Sequence, residues 1–240
     1  MKRKVLFMTL AMAVVLTACG GKADKEASNN ADTNVSEDAG AAGDTGAEDT
    51  DAADDTEAAT ADEAGAADTE AEAEGGWESE FFGLRYTAPE GMGMSTEEEL
   101  NDLMGLGQEV LSDDFSELQL KYAELTSVYE MMSVSDDQTT NVVVTVEKVM
   151  GKMDASQYVS ALEKGLEQVS AISYTLISDD ETIKLGNADY IKVSYQAEAS
   201  GVTMYQDYYV RVVDDRAVAI TLTYMDESGR DNVLNAFTAY

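Results

Sequence analysis

The chain has no histidine, one cysteine (Cys19) and one proline (Pro89) in 240 residues. Without histidine, Ser-His and Cys-His nucleophilic pairs and imidazole-held metal sites are excluded. A lone cysteine closes no intramolecular disulfide, so the folded part must be held together by its core alone. Basic side chains are scarce: 15 Lys and Arg stand against 48 Asp and Glu, a formal net charge of −33. This balance excludes nucleic acid as a partner, because phosphate binding rests on clustered Lys and Arg. A phosphate-cradling G-x-x-x-x-G-K-[ST] loop is absent as well, since Gly105-Leu106-Gly107 lacks both the preceding strand and the lysine.

What is present begins at the N-terminus. Lys2, Arg3 and Lys4 precede an almost wholly apolar run over residues 5–16, the pattern of a secretory signal, and the run is shorter than the roughly 20 residues needed to span a bilayer. Leu16-Thr17-Ala18-Cys19-Gly20 follows. This stretch resembles the lipobox of bacterial lipoproteins. The resemblance implies a signal peptide over residues 1–18, lipid attachment at Cys19 and a place on the extracytoplasmic face of the cell membrane, in a Gram-positive bacterium. Two or three acyl chains, at about 0.8 kcal/mol per buried CH₂, would anchor such a protein firmly.

Composition shifts next. Residues 26–74 contain no aromatic residue, no Lys or Arg and one valine, Val35. So little apolar surface cannot offset backbone ordering at about 1–2 kcal/mol per residue, and residues 19–76 are expected to form a disordered acidic tether. The remaining residues, 77–240, form one expected domain with 10 basic and 30 acidic side chains.

The domain reads as α+β, a single antiparallel sheet of about six to seven strands with helices packed on it. Residues 82–87 form a short strand stopped by Pro89. Ser95-Thr96-Glu97-Glu98 makes a capping box for a helix that Gly105 and Gly107 weaken. A second helix covers 115–125. Strands at 128–134 and 142–149 flank a turn-rich stretch, and Asp154 or Ser156 caps a helix carrying the stripe Tyr158, Leu162, Leu166, Val169. Strands follow at 172–178, 181–185, 189–199, 203–213 and 216–225, and a final helix at 230–239. In the last three strands Ile191, Val193, Tyr195, Tyr208, Val210, Val212, Val218, Ile220 and Leu222 are expected to share the core face.

Phe81-Phe82-Gly83-Leu84-Arg85-Tyr86-Thr87-Ala88-Pro89-Glu90-Gly91 resembles the opening of PsbP-like and Mog1-like domains, and the order of elements agrees over nearly all of residues 77–240. Met92-Gly93-Met94 stands where such domains commonly carry a tryptophan. The resemblance implies a docking or accessory role and transfers no partner-binding residue to this chain.

Carboxylate pairs such as Asp113-Asp114, Asp136-Asp137, Asp179-Asp180 and Asp214-Asp215 point apart in turns and select no hydrolase dyad. No D-x-[DN]-x-[DN]-G calcium loop occurs. A non-enzymatic module without cofactor or metal is therefore expected, monomeric, binding an envelope protein or a small ligand. The alternatives are a small-molecule or glycan-binding component of a transport system and a carboxylate-dependent hydrolase. The expected recognition surface is an open sheet face carrying Tyr205, Tyr209 and Arg211, because Tyr and Arg offer contact area and hydrogen bonds at small entropic cost.

Overall fold

The computed structural model describes residues 75–240 other than Asp113 and Met150. Cys19, the signal segment and the acidic stretch lie outside the described residues. The architecture is α+β, built on seven antiparallel strands. In spatial order they are β3 (Met92–Met94), β4 (Ser127–Ser135), β5 (Thr140–Lys148), β9 (Arg216–Tyr224), β8 (Val202–Val213), β7 (Ala188–Ala199) and β6 (Ser173–Leu185). A second sheet joins the two ends of the domain: β1 (Gly76–Ser79) and β10 (Phe237–Ala239) both pair with β2 (Leu84–Thr87). One sheet was expected; the second has strands too short to show a period, and its pairing is set by contacts far apart in sequence.

Four helices complete the described elements: α1 (Glu97–Leu111), α2 (Glu117–Thr126), α3 (Ala155–Gln168) and α4 (Glu227–Asn235). Thr96, not Ser95, starts α1. Its amide donates to Glu99 and its hydroxyl receives the Glu99 amide, while the Ser95 amide is spent on the Met132 carbonyl. The helix runs through Gly105 and Gly107, held by Leu100 and Leu103 against Met132 and Val143. Ser116 with Gln119, and Asp154 with Gln157, form reciprocal capping boxes on α2 and α3. Asp226 caps α4, which ends at Asn235, and residues 237–239 are strand where helix was expected. The strands expected at 172–178 and 181–185 are one strand with register shifts beside Ser178, and Asp180 there takes a left-handed φ of 45°.

Both faces of the large sheet are buried. On one face Val193, Tyr195, Tyr208, Val210, Ala217 and Ala219 pack with Tyr158, Val159, Leu162 and Leu166 of α3. On the other, Val142, Val144, Tyr209, Val218, Ile220 and Leu222 meet Leu84, Tyr86 and Phe237 of the small sheet and Val233 of α4. The expected face therefore divides. Ile191 pairs Val210 and Val210 pairs Ala219, so Val218, Ile220 and Leu222 point away from Val193 and Tyr208. Alternation does not separate the two faces in Val218-Ala219-Ile220-Thr221-Leu222, where apolar or small side chains occupy both parities.

Candidate functional site

Tyr205, Tyr209 and Arg211 share a strand face of β8, but the small sheet and α4 cover it. Tyr209 is wholly buried. Arg211 reaches across to the loop between β1 and β2, where Nη1 donates to the Phe82 carbonyl at 2.8 Å. Tyr205 and Arg211 are half-buried. The open polar-aromatic surface expected there does not form, because the ends of the domain fold back onto it. Thr221 and Thr223 of the neighbouring β9 point the other way, to the α3 side.

In its place the sheet holds a closed polar cluster. Asp207 is 1% exposed and accepts from the Tyr209 hydroxyl at 3.1 Å and the Tyr224 hydroxyl at 3.4 Å. The Lys192 ammonium stands 3.8 Å from the same carboxylate and 3.6 Å from Glu181. Burial, and then the Asp207 charge, push the Tyr224 hydroxyl up to about 12 and the Tyr209 hydroxyl higher still. Both phenols therefore stay protonated as donors and cannot serve as bases at neutral pH. At the rim the Tyr205 ring stacks on Tyr224 with centroids 5.6 Å apart, and the Arg230 guanidinium lies 5.8 Å from the Tyr224 centroid. Arg230 is itself tied to Asp231 at 2.9 Å.

A second buried acid lies on the α3 side. Glu147 accepts from the Tyr158 hydroxyl at 2.9 Å, and burial pushes its carboxyl up to about 7 against the lowering effect of that bond. Burial and the Glu147 charge also raise Tyr129. A third, Glu130, accepts from the Trp77 indole at 3.2 Å; burial raises its pKa, partly offset by Trp77 and the Arg216 charge. These groups were not singled out from the sequence. Glu147 ends a strand of alternating valines, and only the position of α3 reveals its partner.

A shallow polar concavity of about 210 Å³ lies between the turn at residues 89–92, the β4–β5 hairpin and the start of α4, lined by Glu90, Asp137 and Asp226 among others. Asp137 accepts from Ser135 and Thr139, which hold its carboxyl below the ordinary range. Asp226 is engaged in capping. Among the described residues no three His, Cys, Asp or Glu side chains converge on a metal position, and no helix is long and apolar enough to cross a membrane.

No protein-family model and no curated protein matches the chain. Solved structures do. The chain is similar to cyanobacterial PsbP (CyanoP) from Synechocystis, at 12% identity over 69% of this chain and 91% of that one, with a TM-score of 0.43. LpqN, involved in cell envelope biogenesis of Mycobacterium tuberculosis, aligns at 10% identity over 65% of this chain and 82% of its own, with a TM-score of 0.39. A protein of Bacteroides thetaiotaomicron aligns at 12% identity over 70% of this chain and 49% of its own, with a TM-score of 0.35.

Proposed function

We propose that this chain is a lipoprotein anchored through Cys19 to the extracytoplasmic face of a cell membrane, and that its folded part is a non-catalytic docking module of the PsbP/Mog1-like kind. The observation that carries the reading is an order along the chain: a basic start, an apolar run, Leu16-Thr17-Ala18-Cys19, an acidic stretch free of Lys and Arg, and a folded domain from Gly76 onward. The concavity of about 210 Å³ is smaller than the roughly 300–1,000 Å³ of typical ligand sites. Catalysis is disfavoured by the use of the buried Glu147 and Asp207 and the half-buried Glu130, each of which is engaged by tyrosine or tryptophan donors.

The test is Cys19→Ser in the native host, followed by membrane fractionation and metabolic labelling with a fatty acid. The wild-type chain is expected in the membrane fraction and labelled, and the variant unlabelled and in the soluble or medium fraction. Unchanged detergent partitioning of the variant overturns the anchor.

A further inference from the structure

We propose that the outer edge of β6, at residues 173–177, is a strand-addition site for an extended, basic segment of a partner protein; this rests on the docking role above. β6 is the last strand of the large sheet and pairs only with β7 among the described residues. Such an edge presents unpaired backbone donors and acceptors at alternate residues and is a template for one more strand. The pairing Ser173–Glu198 to Leu176–Tyr195 is regular, so this portion is straight and ready to pair. Its side chains fit the same use: Leu176, the last regularly paired residue, is 47% exposed, and Ile177, which the first register shift leaves without a partner on β7, is 55% exposed. Tyr174 fixes the strand from the inside, its ring meeting Tyr195 edge-on at 6.0 Å.

Charge selects the occupant. Leu176 lies opposite Tyr195, whose hydroxyl donates to Glu163 of α3 at 3.3 Å, and Glu163, Asp179 and Glu167 all act on that tyrosine electrostatically. Among the described residues none of these three acids has a Lys or Arg within ion-pair distance. A second copy of the chain would bring the same acids against one another. Residues 26–74 of the chain itself carry only acidic charge and would be repelled in the same way. A strand alternating apolar with Lys or Arg residues satisfies the edge: its Lys or Arg side chains, on the α3 side, lay their aliphatic stems over Leu176 and place their cations beside the acids. The register shift after Leu176 and the left-handed Asp180 beyond it end the straight edge, limiting the added strand to about four residues.

The experiment uses the full chain carrying Cys19→Ser and a fluorescein-labelled heptapeptide of alternating Lys and Val, read by fluorescence anisotropy. Saturable binding is expected, weakening at least about fivefold at high salt, with no binding of the matching Glu-Val peptide. Thr175→Pro, which removes a backbone N–H from the edge strand and stiffens it, and the pair Glu163→Gln with Glu167→Gln are each expected to weaken binding about threefold or more. Amide hydrogen exchange on the wild-type chain gives a readout independent of any variant's folding: added peptide should protect residues 173–177. Absence of binding, equal binding of the Glu-Val peptide, or protection confined to another segment overturns the proposal. Membrane anchoring is read from Cys19 labelling, so failure here leaves that reading standing.

Discussion

The Tyr158 hydroxyl donates to the Glu147 carboxylate across 2.9 Å, and both side chains are buried between α3 and the sheet, at 0% and 1% exposure. The bond stitches this helix to β5 within an interface whose apolar part is made by Val159, Leu162 and Leu166. Desolvation of the buried carboxylate outweighs the Tyr158 donor.

Stability should therefore depend on pH at this residue. Glu147 has its pKa raised from 4.5 to about 7 on folding. Between those values the folded state keeps a proton that the unfolded chain has lost, so stability falls as pH rises through this window and the deficit is complete above it. Glu147→Gln keeps an acceptor for Tyr158 and removes the titration. Its loss of stability between pH 5 and pH 8 should be smaller than that of the wild type by up to about 3 kcal/mol, measured by urea unfolding. Tyr158→Phe removes the lowering donor and should extend the window to higher pH. An identical pH dependence in wild type and Glu147→Gln counts against the burial of this charge.

Much of the scaffold is legible in local pattern. The Tyr158, Leu162, Leu166 stripe, the Asp154 cap and the strand limits near 128, 142, 189 and 203 are each set by neighbours within a turn or two. Non-local events set the rest. β1 and β10 exist because β2 lies between them, and nothing in Phe237-Thr238-Ala239 separates strand from helix. Once the small sheet covers β8, Tyr209 and Arg211 change from exposed recognition groups to interior fasteners. Their residue types are the same for either use, and only the partners at Asp207 and Phe82 decide between them.

Gly229 is placed so close to Thr140 that a Cβ there would collide with the Thr140 Oγ1 and meet its Cβ at 3.3 Å. Thr140 is buried in β5 and Gly229 lies in the first turn of α4, so neither backbone can yield freely. Gly229→Ala should lower stability by about 1–3 kcal/mol. Adding Thr140→Ala, which removes the colliding oxygen, should recover part of that loss, as measured in a double-mutant cycle. Simple additivity of the two changes would show that α4 shifts away instead.

Leu162 and Ile220 are both buried but belong to clusters on opposite faces of the sheet. Each change to Ala should cost about 2–5 kcal/mol, by lost burial and the cavity left behind. The double variant, if it still folds, should show the sum within about half a kcal/mol, since the two residues share no cluster. A loss below that half at Ile220 alone would contradict its place under the small sheet.

Arg211 and Tyr209 are the sharpest test of how this face is used. Arg211 spends its guanidinium on the Phe82 carbonyl, fastening the loop after β1 to the sheet, and Tyr209 gives Asp207 one of its two tyrosine donors. If they were recognition residues, truncation would weaken binding and spare the fold. As fasteners they should do the reverse. Arg211→Ala strands a buried carbonyl and should cost about 1–3 kcal/mol while speeding proteolysis near Phe81 and Phe82. Tyr209→Phe leaves Asp207 with one fewer donor and should cost a similar amount. Tyr205→Ala, at the accessible rim, should cost less than either, since the ring has solvent on one side and loses chiefly its stacking on Tyr224. Chemical denaturation of the three variants checks the order. Arg211→Ala or Tyr209→Phe matching the wild-type midpoint would return this face to the list of surfaces open to a partner.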